Sequence, residues 1–184
     1  MEVAQTLKDM QAVTGATDEE ISMIAEAAKK ISRETPLAAT EVAKLGLQLL
    51  RAGLSAQDTA GAMEVAAKVA TVSGEDVKTV ANTIATAMMA WKLSAADSER
   101  IGNTIAAALN FSRLQVEDLG VAYNHMAGTA ASFNRSFEET NAILAVYSNV
   151  GVRASTIATG WVQLMSEFIA PSKKATEYLS SLTD

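Results

Sequence analysis

Hydroxyl residues that can begin an α-helix return along this chain at nearly constant spacing. Residues 53–58 read GLSAQD and residues 92–97 read KLSAAD, and both serines stand where a helix N-cap would accept a backbone N–H. The separations are 38, 39 and 42 residues along the series Thr17, Ser55, Ser94 and Ser136. Because an interval of this length holds two helices and two turns, the spacing predicts consecutive antiparallel hairpins, in the size range of HEAT-like repeats.

Two of these positions carry a full capping box. Glu20 follows Thr17 by three residues and Glu139 follows Ser136 by three, so each side chain of a pair can bond to the backbone N–H of the other. Thr40 is predicted to begin a further helix. The complete set of predicted structural caps is Thr17, Glu20, Thr40, Ser55, Ser94, Ser136 and Glu139.

Apolar residues between the caps follow the 3.6-residue period of amphipathic helices. No segment alternates with period two for long enough to form a strand. Predicted helices begin near Thr17, Thr40, Ser55, Gly74, Ser94, Val116 and Ser136, one more carries Ile157 to Phe168, and a weaker one begins at Pro171. The fold class is therefore predicted to be all-α, with about eight to nine short helices. They form either a solenoid-like helical repeat or a compact bundle.

Domain organisation follows from the same pattern. Residues 1–170 are predicted to form a single helical domain, and residues 171–184 a terminal helical segment that leads into a missing remainder. Both ends of the sequence lie within patterns typical of helices, and neither end has a capping residue. We therefore expect the chain to be a fragment of a much longer protein.

Composition excludes several classes of protein. A net charge of −6 is the opposite of the basic surface that binds a nucleic acid duplex. No run of 18 apolar residues could span a bilayer, and a chain with no cysteine has neither a disulfide framework nor a thiolate site. We expect no direct contact with nucleic acid or membrane.

The sequence predicts no catalytic, cofactor-binding or metal-binding residue. Most acidic residues fall in predicted first turns, where the helix dipole stabilises them without a catalytic role. His125 is the only histidine and cannot build a zinc site without cysteines. No nucleophile elbow or phosphate-binding loop is present. Trp91 and Trp161 lie on predicted inward stripes and are expected to anchor the core.

Small residues are concentrated in three segments, ANTIATAMMA (81–90), NTIAAALN (103–110) and MAGTAAS (126–132). Small side chains allow helices to approach closely, so the segments indicate tight internal packing. The alternative is that they form a docking face for another helix.

Several segments occur in an order that resembles a known family. They are AVTGAT (12–17), ETP (34–36), LQLLRAGLSAQD (47–58), VEDLG (116–120) and NVGVRAS (149–155). Over about residues 8–178 the chain resembles the conserved helical region of tail tape measure proteins from long-tailed bacteriophages and prophages.

The resemblance implies a structural virion protein and no enzymatic activity. It implies a role in tail assembly and tail-length determination, and in DNA ejection. Tube, tail-tip or chaperone proteins would be its partners, and self-association is possible. The protein would be in the virion tail, and in the host cytoplasm during assembly. The alternatives are a stand-alone helical-repeat adaptor that binds a protein partner, and a cell-wall hydrolase.

Overall fold

The computed structural model describes residues 2–182, and these residues contain ten α-helices and no strand. The predicted all-α class is confirmed. The helices are α1 (Glu2–Thr14), α2 (Asp18–Glu34), α3 (Ala39–Arg51), α4 (Ala56–Ser73), α5 (Val77–Trp91), α6 (Ser98–Asn110), α7 (Val116–Ser132), α8 (Phe137–Asn149), α9 (Ala154–Ile169) and α10 (Lys173–Ser181), with a 3-10 helix over Ala95–Asp97. The last two residues of the predicted segment 171–184, and Met1, lie outside the described residues.

The additional helix, relative to the eight or nine predicted, is α1. The hydroxyl caps that marked helices near Thr17, Ser55 and Ser136 have no equivalent before α1 in this sequence. The apolar residues Val3, Leu7 and Met10 of α1 nevertheless share one face, and Met10 is fully buried. Tertiary packing, rather than a cap, therefore holds this helix in place.

Helices pack mainly on the helix two positions away in the chain. The odd-numbered helices α1, α3, α5, α7 and α9 form one layer, in which each contacts the next. The even-numbered helices α2, α4, α6 and α8 form a second layer in the same way. Successive hairpins therefore stack side by side, which is the packing of a helical repeat.

The two predicted capping boxes stand at the starts of α2 and α8. Thr17 accepts a hydrogen bond from the Glu20 N–H at 3.3 Å, and the Glu20 carboxylate accepts from the Thr17 N–H at 2.8 Å. The same reciprocal pair joins Ser136 and Glu139 at 3.0 and 2.9 Å. Ser55 accepts from an N–H in the first turn of α4 at 3.0 Å.

Two predicted caps, Thr40 and Ser94, do not stand at the N-cap of the α-helix for which each was predicted. Thr40 is not an N-cap, because α3 already begins at Ala39 and Ala38 occupies the cap position. The Glu41 carboxylate accepts the Ala38 N–H at 2.9 Å, so the helix begins without a hydroxyl. Ser94 precedes the 3-10 helix rather than α6, and its hydroxyl donates to Asp97 at 3.2 Å.

The start of α5 also differs from the prediction. Gly74 does not begin this helix but ends α4, with a left-handed φ of 72° that favours glycine. Asp76 is the N-cap of α5, and its carboxylate accepts from the N–H groups of Lys78 and Thr79.

Close approach of α5 and α7 depends on a single glycine. A Cβ atom on Gly120 would lie 2.6 Å from Oγ1 of Thr83, well inside contact distance. Beside this contact, Trp91 packs edge-on against Tyr123 and Phe137, with ring centroids 5.6 and 5.3 Å away. Trp161 is buried, as predicted, whereas Trp91 is only half-buried at the margin of the core.

Candidate interaction surface

The three small-residue segments have different positions in the fold. Most residues of 81–90, on α5, and the apolar half of 126–132, on α7, pack inside the protein. In contrast, only Ile105 and Ala108 are buried within 103–110 on α6. Internal packing therefore accounts for the first two segments, while the third opens onto the surface of the even-numbered layer.

A groove of about 680 Å³ runs along the surface between α4 and α6. Val65 and Val69 of α4 form one wall, and Gly102 and Ala106 of α6 form the other. A Cβ atom on Gly102 would lie 3.4 Å from Val65, an ordinary van der Waals distance, so the two walls approach closely at this point. The groove therefore offers an apolar floor about three helical turns long.

A second groove, of about 500 Å³, lies on the other side of α6, against α8. Alanines line it from both helices, and its far end is flanked by Phe111 and Val146, which are 80% and 65% exposed. Asn149 donates to the Phe111 carbonyl oxygen at 2.8 Å and so joins the end of α8 to the end of α6. Large exposed apolar side chains beside a groove are typical of a binding surface.

Ion pairs cross the near end of this second groove. Arg100 of α6 donates to Glu138 of α8 at 2.6 Å and to Asp97 at 3.0 Å. The hydrogen bond from Arg100 holds the pKa of Glu138 below its usual value. The pKa of Asp97 is also lowered, mainly by the Ser94 N–H. Arg100 therefore partly offsets the two carboxylates, and the three side chains form a charged border at this end of the groove.

A similar pairing borders the first groove. The Lys68 ammonium lies 2.7 Å from the Glu64 carboxylate on α4, and Lys30 of α2 lies 3.7 Å from the other oxygen of Glu64. Lys68 is the main cause of a lowered pKa at Glu64. We define the α4–α6–α8 face as the two grooves together with these charged borders.

Several of the predicted first-turn acids serve as caps. Glu41 and Asp118 accept the N–H of the residue that precedes their helices, as Glu20 and Glu139 do. His125 is exposed on α7. Within residues 2–182, no group of three or more acidic or histidine side chains is arranged to hold a metal ion. None of the helices described here has both the length and the apolar character needed to cross a bilayer.

The two grooves could not be found from the sequence. The segment 103–110 has the same small, apolar composition as 81–90, and only the packing of neighbouring helices decides which is covered. The exposure of Phe111 could not be predicted from the sequence. This residue follows the last residue of α6, so its exposure depends on where that helix ends.

Comparison with known proteins places the chain in a family. The family model for phage-related minor tail proteins matches residues 25–183. The tape measure protein of Pneumococcus phage Dp-1 is 26% identical over 173 residues, which cover 94% of this chain but only 15% of that protein. No solved structure gives a significant match. The resemblance noted in the sequence is confirmed, and the chain belongs to the family of phage-related minor tail proteins.

Proposed function

We propose that this chain is a globular docking module of a long tape measure protein, and that it binds other tail proteins during assembly near one end of the tail. Membership of a phage tail family supports the structural role. The small share of the Dp-1 protein that the chain spans supports its being one part of a larger polypeptide.

The observation that carries the docking role is the α4–α6–α8 face. Its middle helix, α6, exposes Asn103 and Ala107 between two apolar grooves. Grooves with apolar floors and paired charges at their borders have the anatomy of a protein interface, with an apolar centre and a polar rim. A helix from a tube, tail-tip or chaperone protein would fit either groove.

The folded-back architecture argues against this segment itself measuring the tail. A continuous helix extends by about 1.5 Å per residue, so α4, with 18 residues, is only about 27 Å long. Each following helix then returns in the opposite direction. Tail-length determination, and any part in DNA ejection, would therefore depend on the remainder of the protein, with this module attaching it to the tail.

A point variant in the phage tests the proposal. Ala107→Arg places a long charged side chain at an exposed position that lines the second groove, so we expect folding to be unchanged while assembled tails become few or misshapen under the electron microscope. Ala4→Arg, on the exposed side of α1, is the matched control and should give normal tails. Normal tails from Ala107→Arg would contradict the proposal.

A pair of in-frame deletions separates docking from measuring. Deletion of this segment should abolish or distort tails, whereas a deletion in a long helical region of the same protein should shorten them. If both deletions shorten otherwise normal tails in proportion to the residues removed, this segment contributes to the ruler and the proposed division is wrong.

A further inference from the structure

The apolar stripe of α9 is longer than the surface that covers it. Ile157 and Trp161 are buried against the rest of the protein. The same stripe continues to Leu164 and Phe168, which are 53% and 71% exposed. The last two turns of α9 therefore present an apolar face that no other helix covers in the described structure.

The opposite end of the stack is different. On α1 the exposed positions are mostly polar, with Gln5, Lys8, Asp9 and Gln11 among them, although Val13 is also 57% exposed. A polar outer face is what the terminal unit of a helical repeat needs to remain soluble. α1 therefore exposes one large apolar side chain, Val13, whereas α9 exposes three, Leu164, Phe168 and Ile169.

The repeat signal continues past α9. Ser172 follows Ser136 by 36 residues, close to the earlier intervals, and its hydroxyl accepts from the Ala175 N–H at 3.3 Å. By its cap, α10 is the first helix of a fifth unit.

An apolar face also lies uncovered on α10. Tyr178 of α10 and Leu182, the residue that follows the helix, are 67% and 64% exposed, and Ala175, on the same side, is half-buried. These positions follow the i, i+3, i+7 spacing of a single helix face. Lys173 and Glu177 occupy other sides of the helix, whereas Lys174, four residues before Tyr178, borders this face.

We propose that the exposed end of α9 is a docking surface for an amphipathic helix, and that α10 of the same chain is that helix. A turn centred on Pro171 would return α10 antiparallel along α9. Tyr178 then comes opposite Leu164, each seven residues from the centre of the turn, and Ala175 comes opposite Phe168. The closed hairpin buries both uncovered faces, leaves Lys173 and Glu177 in solvent, and places Lys174 at the edge of the contact.

Disulfide capture tests this pairing in the 184-residue chain, which has no cysteine of its own. We expect the double variant Leu164→Cys/Tyr178→Cys to form an intramolecular disulfide under mild oxidation at a rate independent of protein concentration. Leu164→Cys/Glu177→Cys, with the second cysteine on another side of α10, is the control. The first pair should react at least about tenfold faster, because a disulfide requires Cα atoms within about 7 Å and suitably directed Cβ atoms.

Two results would overturn the proposal: equal rates for the two pairs, or disulfides formed mainly between molecules. A third substitution checks that the apolar faces drive the closure. Phe168→Asp, added to the 164/178 pair, should reduce its rate to that of the control pair, and an unchanged rate would also overturn the proposal.

Discussion

The hydroxyl of Tyr123, on α7, donates a hydrogen bond of 2.6 Å to the side-chain oxygen of Asn141, on α8. Both residues are buried, and Asn141 donates in turn to the Phe137 carbonyl oxygen at 2.8 Å. Burial raises the pKa of Tyr123 far above its ordinary value, so the phenol keeps its proton and remains a donor. This bond provides a buried polar connection between the two layers.

Loss of this hydrogen bond should destabilise the fold. Tyr123→Phe leaves the Asn141 oxygen buried without its donor, so we expect the free energy of unfolding to fall by about 1–3 kcal/mol. Tyr147→Phe removes the same hydroxyl from a side chain that is 53% exposed, and should change stability by less than about 0.5 kcal/mol. Urea unfolding of the two variants measures the difference, and equal effects would contradict the assignment.

Two glycines in α7 should respond in opposite directions to alanine. A methyl group on Gly128 would meet no side chain and no neighbouring helix within 4 Å, so Gly128→Ala should stabilise the helix by up to about 1 kcal/mol. Gly120→Ala forces its new methyl group against Oγ1 of Thr83 and should destabilise the protein by about 1–3 kcal/mol.

A double variant identifies the cause of the Gly120 effect. Thr83→Ala removes the clashing oxygen, so Gly120→Ala should be much less harmful in the Thr83→Ala background than in the natural one. The coupling is measured by thermal or urea unfolding of all four proteins. Additive effects would show that contact with Thr83 is not the reason for the glycine.

Cap positions can be tested by a matched pair of hydroxyl removals. Ser136→Ala removes the acceptor for the Glu139 N–H and should cost about 1 kcal/mol of stability. Thr40→Ala should change stability by less than about 0.5 kcal/mol, because Thr40 lies inside α3 and does not cap it. A larger loss from Thr40→Ala than from Ser136→Ala would contradict the observed start of α3.

The ion pairs of Arg100 predict a pH dependence. The folded-state pKa values of Glu138 and Asp97 are lowered from 4.5 and 3.8, so their contribution to stability is present above those values and disappears as the pH falls through the folded-state pKa. At pH 7 Arg100→Gln should cost less than about 1 kcal/mol, because these exposed charges are screened by solvent.

The stability difference between the natural protein and Arg100→Gln should stay constant from pH 7 to about pH 5 and shrink at lower pH as the carboxylates take up protons. It should also shrink in high salt at pH 7. Chemical unfolding across the pH series measures both effects. A difference that grows on acidification would contradict the pairing.

The parts of the fold that could be predicted depend on hydrogen bonds between residues no more than three positions apart in the sequence. The boxes at Thr17 and Ser136 join a side chain to a nearby backbone group, so the sequence alone contains them. At Thr40 the same reasoning was wrong because a neighbouring glutamate could satisfy the helix start without a hydroxyl. The repeat length was predictable for the same local reason, since caps recur once in each hairpin.

The interaction surface depends on contacts that local patterns do not contain. Segments with similar small residues are buried on α5 and largely exposed on α6. The difference arises from how adjacent helices pack. Exposure of Phe111 follows from the end of α6, and the apolar end of α9 follows from the extent of the helices beside it. A periodic stripe predicts which side of a helix faces inwards, but not whether a partner is present along its whole length.

One hydrogen bond joins the end of α8 to the residue after α6, and another joins the first turn of α4 to the 3-10 helix that precedes α6. Asn149 bonds to the Phe111 carbonyl oxygen across 38 residues, and the Asp58 carboxylate accepts the Ala95 N–H at 2.8 Å across 37. Each such bond ties a hairpin only to its neighbour. A pulling force on α9 would therefore release the outermost hairpin first and leave those nearer α1 closed, so the protein would lengthen in steps of about forty residues.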